Sequence, residues 1–516
     1  MFIRRKHNRS GSISVVVVDK SGGTFKEVHR VGIARSEEEA AAMEADGRHW
    51  IATYGGQRLI DFDGEADTER LTMEALLSNI RSARLTAAQT IIGKVYDSIG
   101  FNAIADEELR HLVTGRICQP MSKKATVDYL RRHFKDDVSL QKIYRYMDKL
   151  QDSQKERVQE ISVRHTRRLF GGDIGILFYD VTTLYFETTE KDALRNNGFS
   201  KDGKNANPQV VLGLLVSRDG YPLSYALFNG AQFEGYTMIP IVDDFVRRHG
   251  LGNDFVVIAD AGLMSEKNVR MLRSAGHKYI IGARIKKESG AMKDLILSTP
   301  HEPGTFKDIP YGDGDRLIVG YSEERARKNE HDREEGVERL RKRYASGMLT
   351  KADINRHGYN KFLSISSGVS VCIDESKIEE DKAWDGLKGY RTNTDLPADQ
   401  VYEHYRQLWH VEKAFRITKG RLEVRPMFHF TEKRIEAHVC ICFVALKVYK
   451  ELERLLRLSG CPYSVDNVLR IAEVIVTLEV DLPKNGKSFT RTLYITEEER
   501  GIAYLIETDD WLNKIG

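Results

Sequence analysis

Short, nearly unbroken apolar runs set the plan of this chain. Ile174–Tyr179 and Phe255–Ala259 are each closed by an aspartate, Asp180 and Asp260, the second followed by Ala261-Gly262. Runs of this length predict strands of a sheet covered on both faces. Val210–Ser217, Tyr221–Phe228 and His277–Ile285 read as three more strands, and Thr237–His249 as a helix before the Asp260 strand. From about Gly172 the order is therefore strand, strand, strand, helix, strand, helix, strand, with acids at the first and fourth strands.

Elsewhere the period is helical. Residues 68–170 read as mostly helical, with Ser122–Arg132, a break at Asp136-Asp137, and a second helix over Ser139–Leu150. The pair resembles a helix-turn-helix whose second member carries Gln141, Lys142 and Arg145 on one side. Tyr405–Lys419 has no Gly or Pro and reads as one helix. Tyr405, Glu412 and Lys419 recur every seven residues and so share a face, with Arg416 one turn from Glu412 and Leu408, Val411 and Phe415 as the apolar stripe. A helical hairpin over 435–458 is predicted to brace it, and 465–516 reads as a small α/β tail. Near the start, Ser12–Asp19, Ser21-Gly22-Gly23 and Thr24–Val31 predict a β-hairpin, and Ser36 with Glu39 a capping box opening a helix to about Ala45.

Composition narrows the class without deciding it. At 41% apolar and 30% charged over 516 residues, the chain reads as a soluble protein of several domains. Its net charge of +3 makes no case for nucleic acid, so local clusters must carry one. The first 35 residues do: eight Lys and Arg, among them Arg4, Arg5, Lys6 and Arg9, stand against Asp19 and Glu27. A basic hairpin of this kind can follow a DNA backbone or groove, or be a plain hairpin with a solvated edge. Five scattered cysteines at 118, 372, 440, 442 and 461 lack zinc spacing and read as reduced thiols. Val439–Val448 is too short to span a bilayer and contains Lys447. A cytoplasmic, nucleoid-associated location in a bacterium and no membrane partner are the resulting expectations.

Two strands that deliver Asp180 and Asp260, and a helix that delivers Glu412 among cations, make a set of three carboxylates. Hard divalent cations take such oxygen ligands. On the residues alone, a metal-dependent phosphotransferase acting on nucleic acid competes with a generic multidomain α/β protein, because charged helix faces and strand-end aspartates are common. A resemblance adds to this. The spacing Y-x6-E-x6-K with Asp180 and Asp260 resembles the DDE transposases of bacterial insertion sequences, in particular the superfamily with a Y-R-E-K signature (insertion sequence four type). Phe178–Thr183, Ala259–Gly262, Asp385–Tyr390 and Leu422–Pro426 are similar to stretches of its members, and the likeness covers about residues 80–460. The signature's Arg position holds Leu408, with Arg406 and Arg416 as replacements.

The resemblance implies an α/β catalytic core, an RNase H-like mixed sheet flanked by helices, in which the first and fourth strands are neighbours. It places a β-containing insertion at 286–395 before the catalytic Glu helix, in which the charged helix from Ser322 to about Tyr344 reads as solvated and Trp384 as a buried aromatic or a wedge. The implied division is 1–67 and 68–171 for DNA binding, 172–285 and 396–464 for the core, and 465–516 for the tail. Asp180, Asp260 and Glu412 become catalytic ligands of two Mg²⁺ ions, with Mn²⁺ as a substitute. Tyr405, Arg406, Arg416 and Lys419 become DNA contacts beside the scissile bond, with the basic hairpin and the helix pair reading the ends. The partners implied are double-stranded DNA, as transposon ends and target, and a second copy of the chain in a homodimer on DNA. A nuclease or resolvase that cuts without joining, and a catalytically idle DNA-binding regulator, stay open as alternatives.

Overall fold

The computed structural model describes residues 1–54, 70–75, 77–133, 138–172, 174–200, 203–251, 255–263, 265–312, 314–355, 357–366, 370–481 and 487–513. Asp136 and Asp137 fall outside them. The chain divides into two compact units, residues 1–83 with 478–491, and 84–477 with 492–516.

In the smaller unit the predicted hairpin gains a third strand. β1 (Phe2–His7), β2 (Ile13–Asp19) and β3 (Lys26–Ala34) form an antiparallel sheet in that order. Ile13–Val18 of β2 are all buried, as an apolar central strand requires. The helix Glu37–Thr53 follows, longer than predicted, and sets Ala40 and Met43 against Val15 and Val31. Ser36 Oγ accepts the Glu39 N–H (3.1 Å), while the Glu39 carboxylate accepts the N–H of Arg35 (2.7 Å), one residue off the reciprocal capping pattern. β4 (Ile80–Arg84) comes next.

The larger unit is built on one eight-stranded sheet. Its strands are β5 (Ile176–Tyr185), β6 (Gln209–Ser217), β7 (Pro222–Asn229), β8 (Val256–Ala259), β9 (Lys278–Ala283), β10 (Phe306–Tyr311), β11 (Asp315–Tyr321) and, after the separate hairpin β12 (Leu363–Ser366) and β13 (Ser370–Ile373), β14 (Leu387–Thr392). The order is β10-β11-β14-β9-β8-β5-β6-β7. β5, β8 and β9 run parallel and the other pairs antiparallel. The five strands β7-β6-β5-β8-β9 place the first beside the fourth, as the RNase H-like reading requires.

The structure corrects several expectations. β5 does not stop at Asp180 but runs on to Tyr185, because β6 keeps pairing with it after β8 has ended. The β-containing insertion joins the main sheet: β10, β11 and β14 extend it from β9, burying Leu317, Val319 and Leu387 with Ile285. Trp384 packs half-buried on this cluster. The charged helix Glu323–Ala345 is not solvated all round, since Val337 and Leu340 pack on Phe362, Leu363 and Ile378. Finally, the predicted hairpin at 435–458 is a single helix, Glu432–Leu458. It contains no Gly or Pro to break it, and it is buried on nearly every side between Ile435 and Leu456, its buried polar residues, Lys447 and Glu451 among them, included.

Helices Ala87–Ile99, Glu107–Cys118, Lys123–His133, Leu140–Lys149 and Lys155–Leu169 share one core with that central helix. Lys447 is fully buried on it, donating to Thr166 Oγ1 (2.6 Å) with its ammonium over the Tyr221 ring. β15 (Val476–Asp481) and β16 (Ser488–Leu493) pair with β4 in the order β16-β15-β4. All five cysteines are free thiols, and burial pushes Cys440 up to about 12. Among the described residues no helix is long and apolar enough to cross a membrane.

Candidate active site

Strand alternation decides which acids can meet. Ile176 and Phe178 of β5, with Ile258 of β8, bury into the core that holds Val411, Ala414 and Phe415. Leu177, Tyr179, Val257 and Ala259 bury on the opposite face against Met238, Val269 and Leu272. Asp180 and Asp260 each lie two residues beyond a residue of the first face, so both belong to it. Parallel register pairs Tyr179 with Ala259, which brings the two aspartates out of adjacent strands at one level. Glu412 stands on the helix Trp409–Arg416, packed on that same face, where the His410 ring lies 6.3 Å from that of Phe178.

The predicted helix 405–419 is broken. It consists of Ala398–Arg406, a turn at Gln407 and Leu408, the Glu412 helix, and a π-turn over Ile417–Arg421. Tyr405, Glu412 and Lys419 thus sit on three successive pieces. Tyr405 is buried and its hydroxyl donates to Asp260 Oδ1 (3.0 Å); burial, then Asp260, pushes its pKa up. Gly282 on β9 leaves room for that hydroxyl.

A cleft of about 240 Å³ opens here, lined by Asp260, Glu412, Tyr405, Arg406, Arg325 and Lys388 among others. Asp180 is half-buried and outside its lining. Lys388 of β14 holds its ammonium over the Tyr405 ring at 4.3 Å. Burial, then Arg325, holds it down to about 8, while Asp260 and Glu412 oppose the shift. Among the described residues no three His, Cys, Asp or Glu side chains are drawn closely enough together to hold a metal ion. In chemistry, though not in spacing, the three side chains suit a hard cation: all are carboxylates, and Asp260 and Glu412 favour the charged form of the Lys388 ammonium.

Residues 171–447 match the family described as transposase DDE domain. The chain belongs to the DDE transposases. No curated protein matches it. Among solved structures it is similar to a piggyBac transposase synaptic complex with hairpin DNA, at 10% identity over 77% of each chain with a TM-score of 0.38. It is also similar to a Mos1 transposase paired-end complex with left transposon end, at 10% identity over 46% of this chain and 71% of that one, with a TM-score of 0.16.

The remaining predicted contacts of the transposase are dispersed. Arg406 is exposed and pairs with Glu403 (3.1 Å) at the cleft, Arg416 is exposed, and Lys419 is half-buried in the π-turn. Leu408, at the signature's Arg position, is buried. Gln141 and Arg145 are exposed one turn apart, while Lys142 pairs with Glu108 (2.5 Å). In the smaller unit Arg5 is held by Glu37 (2.6 Å) and Glu44, Lys6 by Glu27 (3.2 Å), and Arg4 lies over Phe25; Arg9 is exposed. Periodicity missed Lys388, Arg325, Tyr402 and Trp409. For Lys388 the available signal was its place in Asp385–Tyr390; the other three carried none.

Proposed function

We propose that this transposase is of the Y-R-E-K insertion-sequence type and that it cuts and joins DNA ends with Asp180, Asp260 and Glu412 as its metal-binding carboxylates. The observation that carries the reading is their common face: two aspartates from adjacent parallel strands and a glutamate from the helix laid over them. Mg²⁺, with Mn²⁺ as substitute, would be held by these carboxylates and would lower the pKa of an attacking water or 3′-hydroxyl and offset charge on the leaving oxygen. Tyr405 is a positioning residue, fixing the carboxylate of Asp260 through its hydroxyl. Lys388 offsets the charge of Asp260 and Glu412. Arg325 and Arg406 supply the guanidinium that Leu408 does not, so they meet phosphates beside the scissile bond, with Arg416 and Lys419 on the strand beyond. The basic strand β1 and the helix Leu140–Lys149 contribute end recognition, and two copies of the chain hold two ends.

The test is cleavage and joining of labelled duplex carrying the sequence found at the borders of the gene, in Mg²⁺. Asp180→Ala, Asp260→Ala and Glu412→Ala should each lose cleavage while the DNA dissociation constant stays within a few-fold of wild type. Full cleavage by Asp260→Ala sinks the assignment. Cutting without joining by the wild type moves the protein to the nuclease reading.

A further inference from the structure

A second cleft, of about 280 Å³, lies where the helix Lys123–His133 begins and the segment Leu422–Pro426 passes. Its lining carries four cationic side chains, Arg116, Lys123, Lys124 and Arg425, against one carboxylate, Glu423, which is exposed. Lys123 and Arg116 are 5% and 6% exposed. Neither has a carboxylate partner among the described residues. The Arg116 guanidinium donates to the Met121 carbonyl (3.1 Å), and the Lys123 ammonium meets His438 Nδ1 at 3.3 Å. With that lone pair engaged, His438 Nε2 carries the proton and donates to the Val424 carbonyl (3.3 Å), so the imidazole is neutral. The nearby acid Asp148 is taken up by Arg434 (3.3 Å).

Buried charges are ordinarily paired, because leaving one unpaired in the interior is costly. Burial, then Arg116, holds Lys123 down to about 7. Burial, then Lys123 and Arg116, holds His429 at about 3 and His438 well below its ordinary value. The first turn of an 11-residue helix adds its positive end to the same space. Half-buried Tyr144 and exposed Phe428 flank the cleft, apolar surfaces of the kind on which a sugar or base rests.

We infer that this cleft binds a phosphate of the DNA strand, with Lys123 and Arg116 as its buried cations and Lys124 and Arg425 at its mouth. Its position supports DNA as the source rather than a free anion. The lining segment leaves directly from the π-turn that ends the Glu412 helix, with the Val424 N–H donating to the Thr418 carbonyl (3.0 Å), which ties the cleft to the helix that carries Glu412. The inference rests on the DNA-end reading above but uses none of its acids.

Full-length protein is tested in two ways. Thermal melts compare inorganic phosphate with chloride at equal ionic strength, and fluorescence anisotropy follows DNA binding across salt concentrations. Phosphate should raise the wild-type Tm by a few degrees, and Lys123→Met should lose that rise while starting from an equal or higher Tm. Lys123→Met should also flatten the plot of log Kd against log salt by about one unit of slope. Lys124→Ala, an exposed change, should flatten it likewise and serves if the buried variant does not fold. Unchanged phosphate response and unchanged slopes overturn the inference. A phosphate response lost without any change in slope assigns the cleft to a free anion and overturns its DNA role. Wild-type protein that binds no DNA overturns the DNA-end reading itself, a separate and recognisable result.

Discussion

Gly282 shows how narrowly the site is held at the level of single residues. A Cβ there would lie 2.5 Å from the Tyr405 hydroxyl and 3.0 Å from the Ala261 amide nitrogen, closer than such contacts allow. The Tyr405 ring cannot retreat freely, since it packs on Tyr390 with ring centroids 4.7 Å apart. Gly282→Ala should therefore cost ~1–3 kcal/mol of stability as an overpacking change, and it should reduce cleavage at least about tenfold by turning the hydroxyl away from Asp260. Gly282→Ala with Tyr405→Phe should regain most of the melting temperature but not the cleavage, since the clash is relieved while Asp260 stays without its donor. Calorimetry and a cleavage assay on the three variants decide the matter. Wild-type cleavage by Gly282→Ala would leave the Tyr405–Asp260 bond without a role.

Among the elements, the charged helix Glu323–Ala345 was the hardest to read from the sequence, and its placement matters most. Two features carry it. Arg333, 4% exposed, forms a two-pronged pair with Asp385 (2.6 Å on each oxygen), and Arg325 on the first turn lines the candidate active-site cleft. The partner of Arg333 is 52 residues away, a distance at which periodicity carries no signal. Asp385→Asn should cost ~3–5 kcal/mol, because it leaves a buried guanidinium without its full partner. Arg333→Met with Asp385→Leu should recover much of that in urea unfolding. If Asp385→Asn unfolds like wild type, Asp381, 3.9 Å from Arg333, suffices as counter-ion. The strands were legible for the opposite reason: their apolar runs have a local period, and β5 through β9 follow it within one or two residues except at the far end of β5. The breaks at Gln407-Leu408 and at the π-turn were not legible, since no Gly or Pro marks them before Gly420. The strand-end aspartates and Glu412 were legible in the residues themselves; the sheet's alternation adds why Asp180 and Asp260 belong to one face.

At the level of the whole molecule, burial keeps a set of histidines neutral, among them His165, His249, His410, His429 and His438. Burial holds His165 down to about 4, next to Glu451, and holds His438 well below its ordinary value. In the unfolded chain a histidine takes its proton near pH 6.5. Below that pH the unfolded state binds more protons than the folded one, so stability must fall as pH drops from 6.5 toward about 4, by about 1.4 kcal/mol per pH unit for each such residue. Glu451 acts in the same sense further down. Held to about 2 by His165, Arg454 and Tyr221, it contributes stability that is lost as pH falls from its ordinary carboxylate range toward 2. Melting temperatures between pH 7.5 and 4.5 should decline smoothly, with about five protons, one for each of His165, His249, His410, His429 and His438, taken up on unfolding near pH 5; a flat profile would contradict buried neutral histidines. The route by which the sheet is completed has a consequence in time. Asp180 and Glu412 are separated by 232 positions, with β10, β11 and β14 made in between. At roughly 5–20 residues per second, a ribosome makes Asp180 on the order of tens of seconds before Glu412. On the proposed assignment the growing chain carries one and then, from Asp260, two of the three acids during that interval, so the enzyme stays disarmed until Glu412 is made.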